Sequence, residues 1–402
     1  MREMKDSGVR WIGKIPTKWT IAKAKICVEI QNGSDPKTEG SIPVYGSGSM
    51  SFKTCGEYKE GPSVLIGRKG ATLHIPHYIS SKFWNVDTAF NVYSKSIFDL
   101  KYYFYCAHVF DYTLYMSQTT LPSMTQTAYE NMFLPLPTKE EQYAIANQLD
   151  QICSKIDAVL EKTRASIEEY KKLKQAVITQ AVTKGIRGDR PMKNSGIEWI
   201  GDIPAEWNKD KVIRVFSVIG SGTTPKSSDE NLFDGNTPWI QSGDINGENL
   251  FVTKNCVSNS AIESYSALRV YQAPYIVVAM YGASVGNLSL SMIDACVNQA
   301  CCVLKKPTIN LKFSFYIFKA VKDYLARKAV GGGQPNISQE TIKQLWLPIP
   351  SADEQIEISN YLDEKCRSVD ALIAKKQQYL TEIENYKKSL IYEYVTGKKE
   401  VI

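Results

Sequence analysis

Residues 7–19 read Ser-Gly-Val-Arg-Trp-Ile-Gly-Lys-Ile-Pro-Thr-Lys-Trp, and residues 195–207 read Ser-Gly-Ile-Glu-Trp-Ile-Gly-Asp-Ile-Pro-Ala-Glu-Trp. Both tryptophans, both glycines and the Ile-Pro pair return at an offset of 188 residues. A repeat of this length indicates that a whole structural unit has been duplicated. The chain of 402 residues also exceeds the roughly 100 to 200 residues of one domain, so two related halves are expected.

A second repeat runs at an offset of 213 residues. Phe-Leu-Pro-Leu-Pro at 133–137 matches Trp-Leu-Pro-Ile-Pro at 346–350, and the register continues without a gap to Val182-Thr183 and Val395-Thr396. The two offsets differ by 25 residues, so the second globular unit is longer while the flanking segments keep their length. Between the repeats the sequences diverge. This pattern favours one scaffold that carries two different binding surfaces.

Each Leu-Pro-x-Pro segment leads into a predicted long helix. Thr138 and Ser351 can cap the helix starts, and acidic residues follow in the first turn. Apolar residues then recur every seven positions, with a second set interleaved, which is typical of coiled coils. We expect the two helices to pair with each other through Leu149, Ile156, Val159, Tyr170, Leu173, Val177, Leu362, Val369, Leu372, Ile383, Tyr386 and Leu390.

The globular units are predicted to be small and mainly built from strands. Apolar runs such as 63–66 and 275–280 alternate with Gly, Asn and Ser turns, and 100–116 and 312–329 are candidate helices. The fold class expected is therefore α+β: two α/β domains joined by two long helices in an antiparallel coiled coil with pseudo-twofold symmetry. The predicted segments are 1–137 and 188–350 for the domains and 138–187 and 351–402 for the helices.

Polar, glycine-bearing loops that follow the apolar strands are the candidate binding sites. Glycine lets a backbone approach DNA closely, and Arg, Lys, Tyr, Ser, Thr, Gln or Asn side chains can bond to phosphates or base edges. A plain solvated turn is the alternative interpretation of such a loop. The candidates for DNA binding are Arg68, Lys69, Gly70, Thr72, Gln241, Ser242, Asp244, Tyr281, Gly282, Ser284, Gln334 and Asn336.

The composition and motifs argue against several other classes of protein. No apolar run reaches the ~20 residues of a membrane span, and the first residues lack a signal-peptide core, so we predict a cytoplasmic protein without membrane contact. The nine cysteines lack metal-ligand spacing and are predicted to be reduced thiols, with no metal site. A net charge of +6 permits nucleic-acid binding but is weak support alone.

No catalytic residues are predicted. The stretch from Gly8 to Ile15 nearly spells a phosphate-binding loop, but Ile15 replaces the Ser or Thr that binds magnesium. The Asn/Asp-Pro-Pro-aromatic motif of an amine methyltransferase is absent from the sequence, as is a glycine-rich cofactor loop after a strand.

The repeated Trp-Ile-Gly-x-Ile-Pro opening, the Gly-Gly-Gly-Gln-Pro-Asn-Ile-Ser segment at 331–338, the Leu-Pro-x-Pro-x-x-x-Glu-Gln helix start and Tyr-Glu-Tyr-Val-Thr-Gly at 392–397 resemble the specificity subunit of type I restriction-modification enzymes. The resemblance spans essentially the whole chain. It implies two target-recognition domains, each reading one half of a split target in double-stranded DNA, with the helices setting the gap. Of the Gln334-Pro335-Asn336 trio, only Pro335 has a counterpart in the first half, which is Pro122 between Leu121 and Ser123.

The resemblance also implies partners and cofactors. Two methyltransferase subunits would use S-adenosylmethionine, restriction subunits would cut DNA with ATP and magnesium, and this chain would hold no cofactor itself. Three alternatives stay open at this point: the specificity subunit of a related type II-like restriction system, a protein–protein adaptor that binds no DNA, and a cryptic nuclease.

Overall fold

The computed structural model describes residues 2–117, 122–329 and 335–401. The chain divides into two compact units, one of residues 1–165 with 376–402 and the other of residues 166–375. Each unit holds one globular domain together with the adjoining half of one long helix and the far half of the other. Within the described ranges, no helix has a stretch apolar enough to cross a membrane.

The first unit is built on a four-stranded antiparallel sheet. The strands are β1 Met4–Asp6, β2 Lys14–Pro16, β3 Thr20–Lys23, β4 Val28–Asn32, β5 Ile42–Tyr45, β6 Ser51–Cys55, β7 Ser63–Gly67, β8 His77–Ile79, β9 Trp84–Asn85, β10 Ala89–Ser94 and β11 Phe133–Leu136. The helices are α1 Ala24–Cys27, α2 Leu100–His108, α3 Gln126–Asn131 and α4 Lys139–Lys184. The main sheet has the order β4-β10-β7-β8, and a smaller sheet has the order β6-β5-β9.

The second unit repeats this plan with additions. Its strands are β12 Met192–Asn194, β13 Asp202–Pro204, β14 Asn208–Lys211, β15 Phe216–Gly220, β16 Thr237–Ile240, β17 Asn249–Leu250, β18 Asn255–Val257, β19 Tyr275–Ala279, β20 Leu288–Ser291, β21 Cys296–Val297, β22 Cys301–Pro307 and β23 Trp346–Ile349. Its helices are α5 Val212–Val215, α6 Asn259–Ser264, α7 Leu311–Lys328, α8 Gln339–Lys343 and α9 Ala352–Val395. The sheets have the orders β15-β22-β19-β20-β17 and β18-β16-β21.

The extra length of the second domain is concentrated in one place. The hydrogen bond from Lys59 to Asn32 in the first domain matches the bond from Tyr271 to Ser221 in the second. The offset between the halves is therefore 189 at Asn32 and 212 at Lys59. The added residues include α6 and Leu268, which extend the small core around Trp239 and Val257. Val44 and Cys55 form the corresponding small core of the first domain. The domains thus differ most around the smaller sheet, while the main sheet is shared.

Both long helices form, and they start as the sequence predicts. Thr138 Oγ1 accepts a hydrogen bond from the Glu141 amide at 3.3 Å, and the Glu141 carboxylate accepts one from the Thr138 amide, which completes a capping box. Ser351 Oγ accepts from the Glu354 amide at 3.4 Å. The predicted helix at 100–116 is shorter than expected, because the α-helix ends at His108 and a separate 3₁₀ turn follows at Tyr112–Leu114.

Within each unit the two helices run antiparallel. In the first unit Lys387 Nζ lies 2.7 Å from Asp157 and Arg164 lies 2.5 Å from Glu384, so the partner number falls as the residue number rises. In the second unit Lys174 Nζ lies 2.6 Å from Asp370. The Lys387 and Lys174 pairs are the same interaction at the 213-residue offset. The predicted fold class, two α/β domains with two long helices in an antiparallel coiled coil, is confirmed.

The structure corrects part of the predicted helix-pairing set. Leu149, Leu362 and Leu390 are buried, and Ile156, Tyr170, Val177, Val369 and Ile383 are half-buried, but Val159, Leu173, Leu372 and Tyr386 are exposed. A coiled-coil seam alternates spacings of three and four residues. For the second set of seam residues, the prediction took the residue three positions after each member of the heptad series, such as Val159 after Ile156. The structure instead buries the residue four positions after: Cys153, Leu160, Ile167 and Cys366. Both series are apolar, so the sequence alone did not separate them.

The end of each helix completes the core of a domain. Leu390, Ile391, Tyr394 and Val395 of α9 pack into the first domain's core, and Ile178, Ala181 and Val182 of α4 pack into the second domain's core. Ile391 and Ile178 are equivalent at the 213-residue offset. The chain thus returns to its first domain at the end of α9.

The joint between domain and helix is also repeated. Asp150 of α4 accepts hydrogen bonds from Tyr105, at 2.7 Å, and from Lys101. Asp363 of α9 accepts them from Tyr316, at 2.7 Å, and from Lys312. Burial is the main cause that lowers the pKa of His108, beside this joint in the first unit, to about 4. The two joints hold their domains on the helices through the same side chains.

Candidate nucleic-acid interface

Four loops of the first domain meet beside the end of β7 and the start of β10, the two central strands of its main sheet. We call this the first loop cluster, formed by residues 45–49, 67–73, 87–89 and 122–124. The Arg68 amide donates to the Thr88 carbonyl at 2.8 Å, and the Gly70 amide donates to the Pro122 carbonyl at 3.0 Å. The hydroxyls of Ser47 and Thr72 lie 3.1 Å apart. Hydrogen bonds therefore fix loops that are distant in sequence into one surface.

The second domain has the same frame. The second loop cluster consists of residues 240–244, 279–286, 298–301 and 335–337. The Met280 amide donates to the Ala300 carbonyl at 2.8 Å, and the Gly282 amide donates to the Pro335 carbonyl at 2.8 Å. An isolated bridge pairs Tyr281 with Asn336, just as one pairs Lys69 with Ser123 in the first domain.

The side chains on this shared frame differ. Arg68 and Lys69 correspond to Met280 and Tyr281, Thr72 corresponds to Ser284, and Ser123 corresponds to Asn336. Lys69, Tyr281 and Asn336 are exposed. The two surfaces thus have one backbone geometry and different donor and acceptor patterns.

Most of the predicted binding residues fall in these clusters. In the first, the Arg68 guanidinium lies 5.8 Å from the centre of the Phe90 ring, and Gly70 has a positive φ of 111°. In the second, Ser284 Oγ donates to the Tyr281 carbonyl at 3.1 Å. Gly282 has a φ of 72°, a region that favours glycine. Gln334 lies outside the described residues.

The Gln241–Asp244 loop is held by its own side chains. One Asp244 carboxylate oxygen accepts from the Gln241 amide at 2.8 Å, and the other accepts from the Lys254 amide at 3.2 Å. Gln241 Oε1 accepts from Asn255 at 2.8 Å. Ser242 opens the intervening 3₁₀ turn and is half-buried. Asp244 therefore positions the loop.

Sequence reasoning missed several polar residues of the clusters. Thr88 and Ser123 belong to the first, and in the second Gln299 Oε1 accepts from Thr224 at 2.6 Å. The repeat of Pro122 and Pro335 was the only signal for Ser123. Among the described residues, no group of three or more His, Cys, Asp and Glu side chains is arranged to hold a metal ion.

Next to each loop cluster, two backbone segments pass very close to each other. A Cβ on Gly33 would lie 2.1 Å from the Val86 carbonyl oxygen, and one on Gly222 would lie 1.7 Å from that of Val297. Only glycine fits at such a distance. The neighbouring residue is held by a side chain in both domains: Lys59 Nζ donates to the Asn32 carbonyl at 3.1 Å, and the Tyr271 hydroxyl donates to the Ser221 carbonyl at 3.0 Å.

Replacing Lys59 by methionine should destabilise the first domain. Lys59 Nζ also donates to the amide oxygens of Asn85, at 2.8 Å, and Asn91, at 2.6 Å. Burial lowers the pKa of Lys59 to about 8. The hydrogen bonds offset the unfavourable free energy of burying its charge. Leaving three oxygens without this donor should cost about 2 kcal/mol and lower the unfolding midpoint by about 4–8 °C. Differential scanning calorimetry measures the shift.

The matched control is Lys82→Met, which removes an exposed lysine of the same domain. Its midpoint should move by less than about 1 °C, since surface ion pairs contribute little. Equal midpoints for the Lys59 and Lys82 variants would show that Lys59 does not support the cluster.

The sequence matches the family model described as type I restriction modification DNA specificity domain, at residues 20–169 and 204–385. The putative type I restriction enzyme MjaX specificity subunit of Methanocaldococcus jannaschii is 26% identical over 69% of this chain and 62% of its own length. The EcoBI specificity subunit of Escherichia coli is 22% identical over 70% of this chain and 61% of its own length. The matched stretches span less than two thirds of these relatives.

Two solved structures have a similar fold. A chain from a type I restriction-modification system studied for its complex assembly and conformational transition has a TM-score of 0.72, with 14% identity over 96% of this chain and 99% of that chain. The HsdS subunit from Thermoanaerobacter tengcongensis has a TM-score of 0.50, with 14% identity over 98% of this chain and 100% of that chain. At these identities the similarity concerns the fold.

Proposed function

The chain belongs to the family of type I restriction modification DNA specificity domains, and from this premise we propose that it selects the DNA target of a type I restriction-modification complex, with one half-site read by each domain. The observation that carries the proposal is the pair of loop clusters. One backbone frame presents Arg68, Lys69 and Ser123 in one domain and Met280, Tyr281 and Asn336 in the other. Such a pair suits two unlike half-sites.

The chemistry of the clusters divides by role. Lysine and arginine contacts to phosphates place a protein on the duplex, whereas hydroxyl, amide and phenol groups can bond to base edges. The first cluster supplies both cations, and the second supplies the neutral side chains of Gln241, Tyr281 and Asn336. We therefore assign more phosphate contact to the first domain than to the second.

Replacing Arg68 and Lys69 together by alanine should weaken DNA binding by the assembled complex by about tenfold in moderate salt. It should also reduce the slope of log affinity against log salt by about two, because each lost phosphate contact no longer releases a counterion. Filter binding on a duplex that contains the target, repeated across salt concentrations, measures both quantities.

The control is the pair Lys14→Ala and Lys18→Ala, which removes two exposed positive charges of the same unit outside the cluster. Its salt slope should equal that of the wild-type chain. A slope that falls equally in both variants would mean that binding follows net charge alone. If substitutions in this chain left the salt dependence of DNA binding by the complex unchanged, the protein–protein adaptor hypothesis would replace the proposal.

We assign the chemistry of the complex to partner subunits. Two methyltransferase subunits would use S-adenosylmethionine, and restriction subunits would use ATP and magnesium, while this chain would be non-catalytic and hold no cofactor. The long helices carry exposed apolar side chains suited to docking these partners. Those of Val159, Leu173, Leu372 and Tyr386 share one heptad position on each helix and form two equivalent pairs at the 213-residue offset.

Changing Val159 and Leu372 together to glutamate should weaken docking of the methyltransferase subunits by about tenfold or more. A charge buried in an apolar interface without a partner is strongly unfavourable. Copurification of tagged chain with untagged methyltransferase subunits, followed by analytical ultracentrifugation, measures the loss. The double variant Gln151→Glu and Gln377→Glu adds the same charge at exposed polar positions of the same helices and should retain both subunits. Full retention by the Val159 and Leu372 variant would remove this face from the docking site.

A further inference from the structure

Each loop cluster is bordered by two large apolar side chains that stand in solvent. Met50 and Phe52 are 82% and 60% exposed in the first domain, and Phe251 and Val252 are 65% and 75% exposed in the second. Single exposed apolar residues are common on protein surfaces. Here each domain carries two of them close together in sequence, in the region between equivalent strands of its smaller sheet.

Both pairs belong to the segment that joins equivalent strands of the smaller sheets. Met50 and Phe52 lie at the tip of the β5–β6 hairpin and on β6, and Phe251 and Val252 lie between β16 and its antiparallel partner β18. The second segment is much longer than the first, so the sequences around the pairs differ in length and in composition. The apolar pair is nevertheless present in both.

A packing contact links Phe52 to the first loop cluster, and a hydrogen bond links the segment that follows Phe251 and Val252 to the second. Gly46 lies between the Thr88 hydroxyl and the Phe52 ring, because a Cβ built on it would be 2.9 Å from the first and 3.8 Å from the second. In the second domain the Lys254 amide, two residues after Val252, donates to Asp244 at 3.2 Å. The apolar pairs therefore continue the surfaces proposed to contact DNA.

Positive charge accompanies both pairs. Lys53 follows Phe52 directly, with its Nζ 5.6 Å from the centre of the Phe52 ring, and Lys254 follows Val252 by two residues. An exposed apolar side chain beside a lysine is less suited to a protein–protein interface, because lysine is depleted there. It is better suited to a DNA duplex, where the cation contacts phosphate and the apolar group contacts the bases. This arrangement favours DNA as the occupant over a protein partner.

We propose that Met50 with Phe52, and Phe251 with Val252, act as apolar wedges that enter the base stack beside the half-site read by each domain. Insertion of Phe, Met or similar side chains partly unstacks a base step and bends the duplex, and bent DNA contacts more of the protein surface. Because unstacking is easier at pyrimidine–purine steps, the wedges would also make each domain selective at a step that its loops do not touch. This inference rests on the proposed function.

The test uses the complete methyltransferase complex and duplexes with 2-aminopurine at single positions through each half-site and its flanks. The methylated bases are left unlabelled, since methyltransferases turn them out of the stack. With the wild-type chain, fluorescence should rise severalfold at one step beside each half-site. Met50→Ser with Phe52→Ser should abolish the rise beside the first half-site only, and Phe251→Ser with Val252→Ser beside the second only.

Ile97→Ser and Ile213→Ser are the matched controls, because each removes an exposed apolar side chain of one domain outside the loop clusters. Both should keep the wild-type signal. Specific binding without a fluorescence rise at any step, or a rise that persists when all four wedge residues are serine, would overturn the proposal. Loss of a partner subunit with the signal intact would also overturn it and assign the pairs to protein docking. Failure of the proposed function itself would appear differently, as no target-specific binding by the wild-type complex.

Discussion

Exchanging residues 20–132 for the same region of another family member should change one half of the methylated target completely and leave the other half as it was. The exchanged segment contains all four loops of the first cluster and none of the second. The loops determine which bases are bonded, so half of the specificity should move with them. Sequencing the methylome of a host that carries the hybrid chain with its partner subunits identifies both halves of the target.

The structure sets conditions for a successful exchange. The incoming segment supplies β3, which pairs with β11 of the retained chain through backbone bonds, and these bonds do not depend on side chains. It must also supply the lysine and tyrosine that bond to Asp150, as Lys101 and Tyr105 do. The matching control exchanges 208–345 and should alter only the other half. If either hybrid changed both halves at once, the assignment of one half-site to each domain would be wrong.

Inserting one heptad into both long helices should lengthen the gap between the two half-sites by about three base pairs. The insertions go after Ala165 and after Gln378, which lie midway between Asp157 and Lys174 on α4 and midway between Asp370 and Lys387 on α9. The ion pairs of each unit therefore stay together. Seven helical residues add about 10 Å, and base pairs are stacked about 3.4 Å apart. Methylome sequencing again gives the target, now with its spacer.

Insertion into α4 alone is the informative control. One helix would then exceed the other by about 10 Å, and the two units could not both keep their helix pairing. We expect this chain to lose methylation of any target. A double insertion that methylates efficiently with the original spacer would show that the helices do not set the gap.

Much of this architecture follows from repeats and periodicity. The Trp-Ile-Gly-x-Ile-Pro repeat indicated the number of domains, and the gapless register of 133–183 with 346–396 predicted two equivalent long helices. The structure places them at Lys139–Lys184 and Ala352–Val395. The seam of the coiled coil was predicted only in part. Val159 and Leu160 are both apolar, and only packing shows that Leu160 is the buried one.

The loops show the same division between what is local and what is not. Gly70 and Gly282 were recognisable as loop residues, because a glycine shortly after a buried strand indicates a turn with backbone angles that other residues rarely adopt. Ser123 was not, because it joins the first cluster only through bonds between 67–70 and 122–124, more than 50 residues apart in the chain. Asp244 was predicted as a DNA-binding candidate, and only the structure shows that its carboxylate also accepts hydrogen bonds from the Gln241 and Lys254 backbone amides.

The sequence by itself determined the duplication, the two long helices, the family and the unequal length of the two domains. Each of these depends on repeats, periodicity or motifs that can be recognised from the order of residues alone. Only the tertiary structure decided which helix face is buried, which loops share a surface, and that the end of α9 completes the core of the first domain. Those features depend on contacts between segments far apart in sequence, and such contacts are set by how apolar surfaces pack and where backbone hydrogen bonds find partners.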